Sequence, residues 1–242
     1  PKNETETKTA QKSATLPIKG SWFEFQHHNE AEGVYWNPQC KSFTCGQWGD
    51  KIREMADCGL EYIVLMETAL YFKAFYKTDI FPPFEIDCTD PIEAILAAGD
   101  ACNVKIFMGG GFYGDWMSPD IITDSEARTR RLKAIEEIVG IYGNHKSFYG
   151  WYWPNEAYIN KHFSERFIEY VNECSALARS LQPMTKTLIA PYGTRVAVAD
   201  DGYVRQLENL DVDIIAYQDE VGVRKSSPLE TPAFYEGLRK AH

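Results

Sequence analysis

The sequence predicts an α/β fold, a (β/α)8 TIM-type barrel of which about six βα units are recognisable. Three observations lead there: strand-like runs alternate with helix-like ones, the helices carry their own start signals, and no phosphate loop of an open nucleotide-binding sheet is present. Runs rich in β-branched and aromatic residues mark strands at 22–26, 62–67, 105–110, 148–154, 186–191 and 212–218. Strands separated by helices pair in parallel, and a closed barrel needs about eight such units. Six pairs predict a truncated or irregular barrel, or one with a strand hidden in a loop such as 33–44.

The helices follow in order. Trp48, Ile52 and Met55 mark one after the first strand. Asp90-Pro91-Ile92-Glu93 supplies an N-cap, a first-turn proline and a capping-box glutamate ahead of Ile92, Ile95 and Leu96, and 100–103 closes that helix. Thr123-Asp124-Ser125-Glu126 opens the next, in which Leu132, Ile135, Ile138, Val139 and Tyr142 share one face until Asn144. A third covers 164–181, with Phe167, Tyr170, Val171, Cys174, Leu177, Ala178 and Leu181 in phase, and Pro183 stops it. The last falls at 232–240. Between the third strand and its helix stands Gly109-Gly110-Gly111-Phe112-Tyr113-Gly114-Asp115-Trp116. It is glycine-rich but out of G-x-G-x-x-G register, and there is no Walker lysine motif, so no nucleotide cofactor is expected.

With 242 residues, 44% hydrophobic and 25% charged, the chain is expected to form one barrel domain at 18–242. Residues 1–17 are too poor in apolar side chains to fold alone and read as a disordered leader or linker. A leader that does not begin with Met is expected behind a cleaved export signal, which predicts a periplasmic, outer-membrane-attached or extracellular protein. The 35 acidic and 25 basic residues give a net charge of -10, which repels phosphates, so no nucleic-acid partner is expected. No apolar run reaches the roughly 20 residues of a membrane span.

The six cysteines show no C-x-x-C pair or metal-finger spacing. Cys58, Cys102 and Cys174 fall on apolar helix faces as small buried hydrophobes. Cys40 and Cys45 share a loop and are the pair that an oxidising compartment could bridge.

In such a barrel the reactive groups stand at the C-terminal ends of the strands. The sharpest exit is Gly150-Trp151-Tyr152-Trp153-Pro154-Asn155-Glu156, an aromatic strand that delivers an Asn-Glu pair. Glycosidic cleavage needs one carboxylic acid to protonate the leaving oxygen and a second carboxylate as nucleophile or base. Glu156 is the expected proton donor, and Asn155 is placed to orient a sugar hydroxyl. The competing role for Glu156 is a helix cap or a pair with Lys161. Asp219 and Glu220 end the apolar strand Ile214-Ile215-Ala216-Tyr217-Gln218 and are the expected partner carboxylates, with a cap or salt bridge as the alternative. Glu67, Tyr113, Asp115, Trp116, Trp153, Tyr192, Arg195 and Gln218 complete the expected binding set, the aromatics as stacking platforms. His27-His28 with Glu24 invites a metal, but neighbouring residues of an extended segment point to opposite sides, so no metal site is expected.

Gly20-Ser21-Trp22-Phe23, Asp90-Pro91-Ile92-Glu93-Ala94-Ile95-Leu96, Gly114-Asp115-Trp116, the segment 150–156, Ala190-Pro191-Tyr192 and Tyr217-Gln218-Asp219-Glu220-Val221-Gly222 resemble the bacterial family catalogued as domain of unknown function 4434. The resemblance runs from Gly20 onward and implies a glycoside-hydrolase-like TIM barrel in an exported polysaccharide-processing protein. Asn155-Glu156 at the fourth strand is also similar to the acid/base position of the large retaining-glycosidase clan, whose nucleophile is a glutamate on a seventh strand. The expectation is therefore a glycoside hydrolase acting on polysaccharide or oligosaccharide. The alternative is a carbohydrate-binding barrel without catalysis, with one isolated carboxylate among aromatic platforms.

Overall fold

The computed structural model of the chain describes residues 16–241, so all but the last two residues of the expected leader lie outside the described part. β1 (Gly20–Phe23) leads through a 3-10 turn (Gly33–Tyr35) and α1 (Asn37–Lys41) to α2 (Cys45–Asp57). β2 (Tyr62–Leu65) leads through a small hairpin, β3 (Ala69–Leu70) and β4 (Lys73–Ala74), to α3 (Pro91–Cys102). β5 (Lys105–Gly109) and α4 (Ser125–Tyr142), then β6 (Phe148–Tyr152) and α5 (Glu165–Leu181), follow without such insertions. β7 (Lys186–Ile189), a 3-10 turn (Thr194–Val196) and α6 (Asp201–Asn209) precede β8 (Ile214–Ile215) and α7 (Thr231–Arg239). The main sheet has the order β1-β2-β5-β6-β7-β8, and every pairing in it is parallel. These are six βα units of a TIM-type barrel laid side by side in chain order.

All six expected strands are present, but they stop earlier at their exits. β1 ends at Phe23 because the backbone bends at Phe25 and Gln26, and β8 pairs only through Ile214 and Ile215. The loop at 33–44 holds helical turns where a hidden strand was sought. The β3–β4 hairpin has two residues per strand, too few to show a period.

Alternation sorts the strands into two faces. Ile63, Leu65, Ile106, Met108, Trp151 and Trp153 pack outward against the helices in the large core. Val64, Phe107, Tyr152, Leu188 and Ala190 form a small inner cluster, joined by Tyr62, Met66, Tyr149 and Ala216. The helices start where their caps place them. Asp90 accepts from the N–H of Glu93 at 2.9 Å and Asp124 from that of Ala127 at 2.7 Å. The capping box expected at Asp90 is only half made, because the Glu93 carboxylate meets His145 Nε2 at 3.0 Å. A complete box forms instead at Thr44 and Gln47.

Cys45 is bridged to Cys88, 43 residues away, and not to Cys40. Proximity in sequence misled here: the pair that meets has its Cα atoms 4.8 Å apart, within disulfide reach, across the α2–α3 side of the sheet. Cys174 is buried as expected, whereas Cys58 caps the end of α2 and is exposed.

Candidate functional site

The exits of β1, β2, β5, β6 and β7 surround a cavity of about 540 Å³. Its wall brings together His28, Met66, Phe112, Trp116, Asn155, Glu156 and Tyr192, with Tyr158 and Phe167 from the segments beyond β6. Close backbone packing makes this possible at β5. A Cβ on Gly109 would lie 2.2 Å from the Met66 carbonyl oxygen, and one on Gly110 would lie 2.9 Å from the Trp153 ring. The glycine run therefore serves approach between β2, β5 and β6 and not phosphate binding.

Among the described residues Glu156 is the sole carboxylate of the cavity wall. Its side chain opens toward solvent, yet crowding by the surrounding protein raises its carboxyl above the ordinary 4.5, against hydrogen bonds with Gln218 and Tyr152 that lower it. Tyr152 donates to Glu156 Oε1 at 3.3 Å. Burial holds the Tyr152 phenol well above its usual range, so it stays protonated and keeps donating. The Gln218 amide also donates to the Ala190 carbonyl at 2.8 Å, tying the β8 exit to β7 and to Glu156. Among the described residues no ion pair joins Glu156 to Lys161. The role of Tyr152 escaped the sequence reading; its signal is its place four residues before Glu156 on an inward-facing strand position.

The other expected residues divide. Asn155, Trp116 and Tyr192 line the cavity with Glu156, and Gln218 touches it through Glu156. Trp153 is fully buried on the outer face, its Nε1–H donating to Ser175 Oγ at 3.0 Å. Tyr113 is buried with Thr68 Oγ1 at 3.2 Å and Tyr76 Oη at 3.3 Å. Asp115 accepts from the N–H of Met117 at 3.0 Å in its own turn, and Arg195 is exposed on the 3-10 turn after β7. Glu67 is fully buried, neither carboxylate oxygen has a hydrogen-bond partner, and burial together with the charge of Glu24 pushes its carboxyl well up. Glu220 is turned back into the protein at φ 55°, where its Oε2 accepts from the Gly193 N–H at 2.9 Å and its Oε1 lies 3.5 Å from Lys225 Nζ. Asp219 is exposed, and its Oδ1 accepts from the N–H of Val221 at 3.0 Å. Neither lines the cavity.

The two histidines do not splay. The segment is bent and not extended, so their rings stack with centroids 4.7 Å apart and 16° between planes. His28 faces the cavity, its ring 4.8 Å from that of Trp116. Burial, and then the neighbouring His27, lowers the pKa of His28, which favours the neutral imidazole.

The model of the family described as domain of unknown function (DUF4434) matches residues 18–242. The chain belongs to this family. No curated protein sequence matches it. Among solved structures, this DUF4434 chain is similar to a provisionally assigned alpha-L-fucosidase from Bacteroides thetaiotaomicron VPI-5482, at a TM-score of 0.68 and 15% identity over 98% of this chain and 76% of that one. It is also similar to a Bacteroides uniformis beta-glucuronidase, at 0.52 and 13% over 83% of this chain and 21% of that one. Bacteroides uniformis beta-glucuronidase 2, covalently bound to cyclophellitol-6-carboxylate aziridine, aligns at 0.53 and 12% over 94% of this chain and 24% of that one. The DUF4434 chain thus has a glycoside-hydrolase-like TIM-barrel fold and spans about a quarter or less of those two glucuronidases. No helix among the described residues is long and apolar enough to cross a membrane.

Proposed function

We propose that this protein is a glycoside hydrolase acting on polysaccharide or oligosaccharide, with Glu156 as the proton donor. The observation that carries the reading is the setting of Glu156: a carboxyl with raised pKa, fixed by Tyr152 and Gln218, in the wall of an aromatic cavity at the strand exits. A general acid must hold its proton until the leaving oxygen takes it, and crowding by the surrounding protein favours that. Trp116, Tyr158 and Tyr192 offer faces on which a sugar ring stacks, and Asn155 offers an amide for a hydroxyl. Asp219 and Glu220 remain the proposed partner carboxylates, Asp219 being the more available because Glu220 must first release Gly193 and Lys225. The Cys45–Cys88 bridge supports an exported location, where disulfides persist.

One observation favours a second reading, a carbohydrate-binding barrel without catalysis: among the described residues a single carboxylate lines the cavity. A hydrolysis screen on glycans, run beside calorimetric binding of the same glycans, separates the two. Turnover that disappears in Glu156→Gln establishes the hydrolase; binding without turnover establishes the binding barrel; neither one removes the carbohydrate reading.

A further inference from the structure

The exit of β1 holds polar groups that the glycan reading does not use. Glu24, His27 and His28 each offer one ligand atom, and these atoms all lie within 4.8 Å of one another. We infer that these three residues form a site for one divalent transition-metal ion of the zinc class, at the rim of the cavity. Two imidazoles and a carboxylate are the donor set that such ions take in sites that keep a further position open. Magnesium and calcium prefer all-oxygen sets and fit poorly.

The segment is held in place before any ion arrives. Asn37 Oδ1 accepts from the His27 N–H at 2.7 Å, and its amide donates to the His27 carbonyl at 3.2 Å. Gly33 leaves room for that clamp, since a Cβ there would sit 2.3 Å from Asn37 Nδ2. His27 Nδ1 lies 3.0 Å from the Asn29 carbonyl oxygen. The Asn29 N–H donates to this same Nδ1, also at 3.0 Å, so an ion at Nε2 selects the other tautomer, in which Nδ1–H turns to the Asn29 carbonyl, the usual second contact of a metal-binding histidine. The same Nε2 stands 4.0 Å from Glu24 Oε1 and 3.6 Å from Oε2 of the more exposed Glu32.

One further observation points to an absent partner. His28 Nδ1 is buried without a hydrogen-bond partner. An orphaned buried polar group in a native fold calls for a specific partner, and a cation shared with Glu24 and His27 supplies one. Tetrahedral ligands at about 2.1 Å from an ion lie roughly 3.4 Å apart, so the three must draw in by about an ångström. The parallel rings must also tilt apart for both lone pairs to converge. His28, facing the cavity, has the space to turn.

The site shares His28 with the wall of the glycan cavity, but its test reads metal, not turnover. The whole chain is titrated with ZnCl2 in a calorimeter and with Co(II) in a spectrophotometer, beside Glu24→Gln, His28→Ala, Glu156→Gln and the Cys40→Ser, Cys58→Ser, Cys102→Ser triple variant. One ion per chain is expected, with a tetrahedral Co(II) spectrum. Changes to residues behind the ligands typically weaken metal sites by about 10–100-fold, so removing Glu24 or His28 should weaken this one by at least about a hundredfold. Glu156→Gln and the cysteine variant should bind like the parent. Melting curves in chelator show whether each variant is folded, and His28→Gln replaces any that is not. Failure of the parent to bind zinc overturns the inference, and so does unchanged binding in Glu24→Gln and His28→Ala. Neither result touches the hydrolysis measured with Glu156→Gln.

Discussion

The exits of β6 and β8 look alike in the sequence and behave differently in the fold. Each is an apolar strand followed by polar residues, Asn155-Glu156 after one and Gln218-Asp219-Glu220 after the other. After β6 the chain carries Glu156 into the cavity wall, where Tyr152 from the same strand and Gln218 from β8 hold it. After β8 the backbone turns through a left-handed residue at Glu220, and the carboxylate folds back onto the Gly193 N–H and Lys225. A polar exit is therefore an opportunity and not an assignment: the few dihedrals beyond the strand decide whether a carboxylate meets substrate or braces a loop.

The largest test of this contrast is Glu156→Gln. The amide keeps the shape and loses the proton, so glycan hydrolysis should fall by about 10²–10⁴-fold while calorimetric glycan affinity stays within a few-fold. The pH profile sharpens it. Because the folded carboxyl is raised above 4.5, the acid form persists to higher pH than in an exposed glutamate, and kcat should decline as pH rises through that raised value. A rate that does not fall on the alkaline side would mean that another group donates.

Glu220 is the next. Glu220→Ala leaves the Gly193 N–H without its acceptor in a buried place, which should cost about 1–3 kcal/mol in chemical unfolding. Glu220→Gln keeps an acceptor and should recover most of that. If Glu220 instead attacks the sugar, Gln and Ala are equally inactive regardless of stability, and the contrast between the two exits collapses.

Strand order and helix starts were legible because they rest on local rules. Asp90, Asp124 and Ser164 cap their helices directly, and runs rich in β-branched and aromatic residues between the helices marked the strands of the main sheet. What escaped depends on contacts across the fold. Cys88 reaches Cys45 only because α2 and α3 pack side by side, and the bend after Phe23 turns His27 and His28 to the same side. Trp153 shows the limit from the other direction: on a parallel strand buried on both faces, an aromatic is read equally well as platform or core, and here it is core. Glu156 was legible because the motif and the strand end agree, whereas its partner Tyr152 needs the pleat to show that both face inward.

The smallest effect separates the foot of β8 from its exit. Burial would raise the Asp213 carboxyl, but hydrogen bonds from Lys186, the Thr187 N–H and Arg179 outweigh it and hold the group at about 2. Lys186 Nζ lies 2.9 Å from Oδ1, and Arg179 Nη2 lies 2.9 Å from Oδ2. The folded value lies below the ordinary 3.8, so the native state binds fewer protons than the unfolded chain between the two. Asp213 thus adds stability above pH 3.8, and this is lost as pH falls toward 2. One unit is worth about 1.4 kcal/mol, so the whole effect is at most about 2.5 kcal/mol, reduced by salt and by the partial exposure of the group. In urea titrations the parent and Asp213→Asn should differ at neutral pH and converge near pH 2, with turnover per folded molecule the same in both. A gap that persists at low pH would place the contribution of Asp213 in packing, and the foot of β8 would then be held by shape where its exit is held by charge.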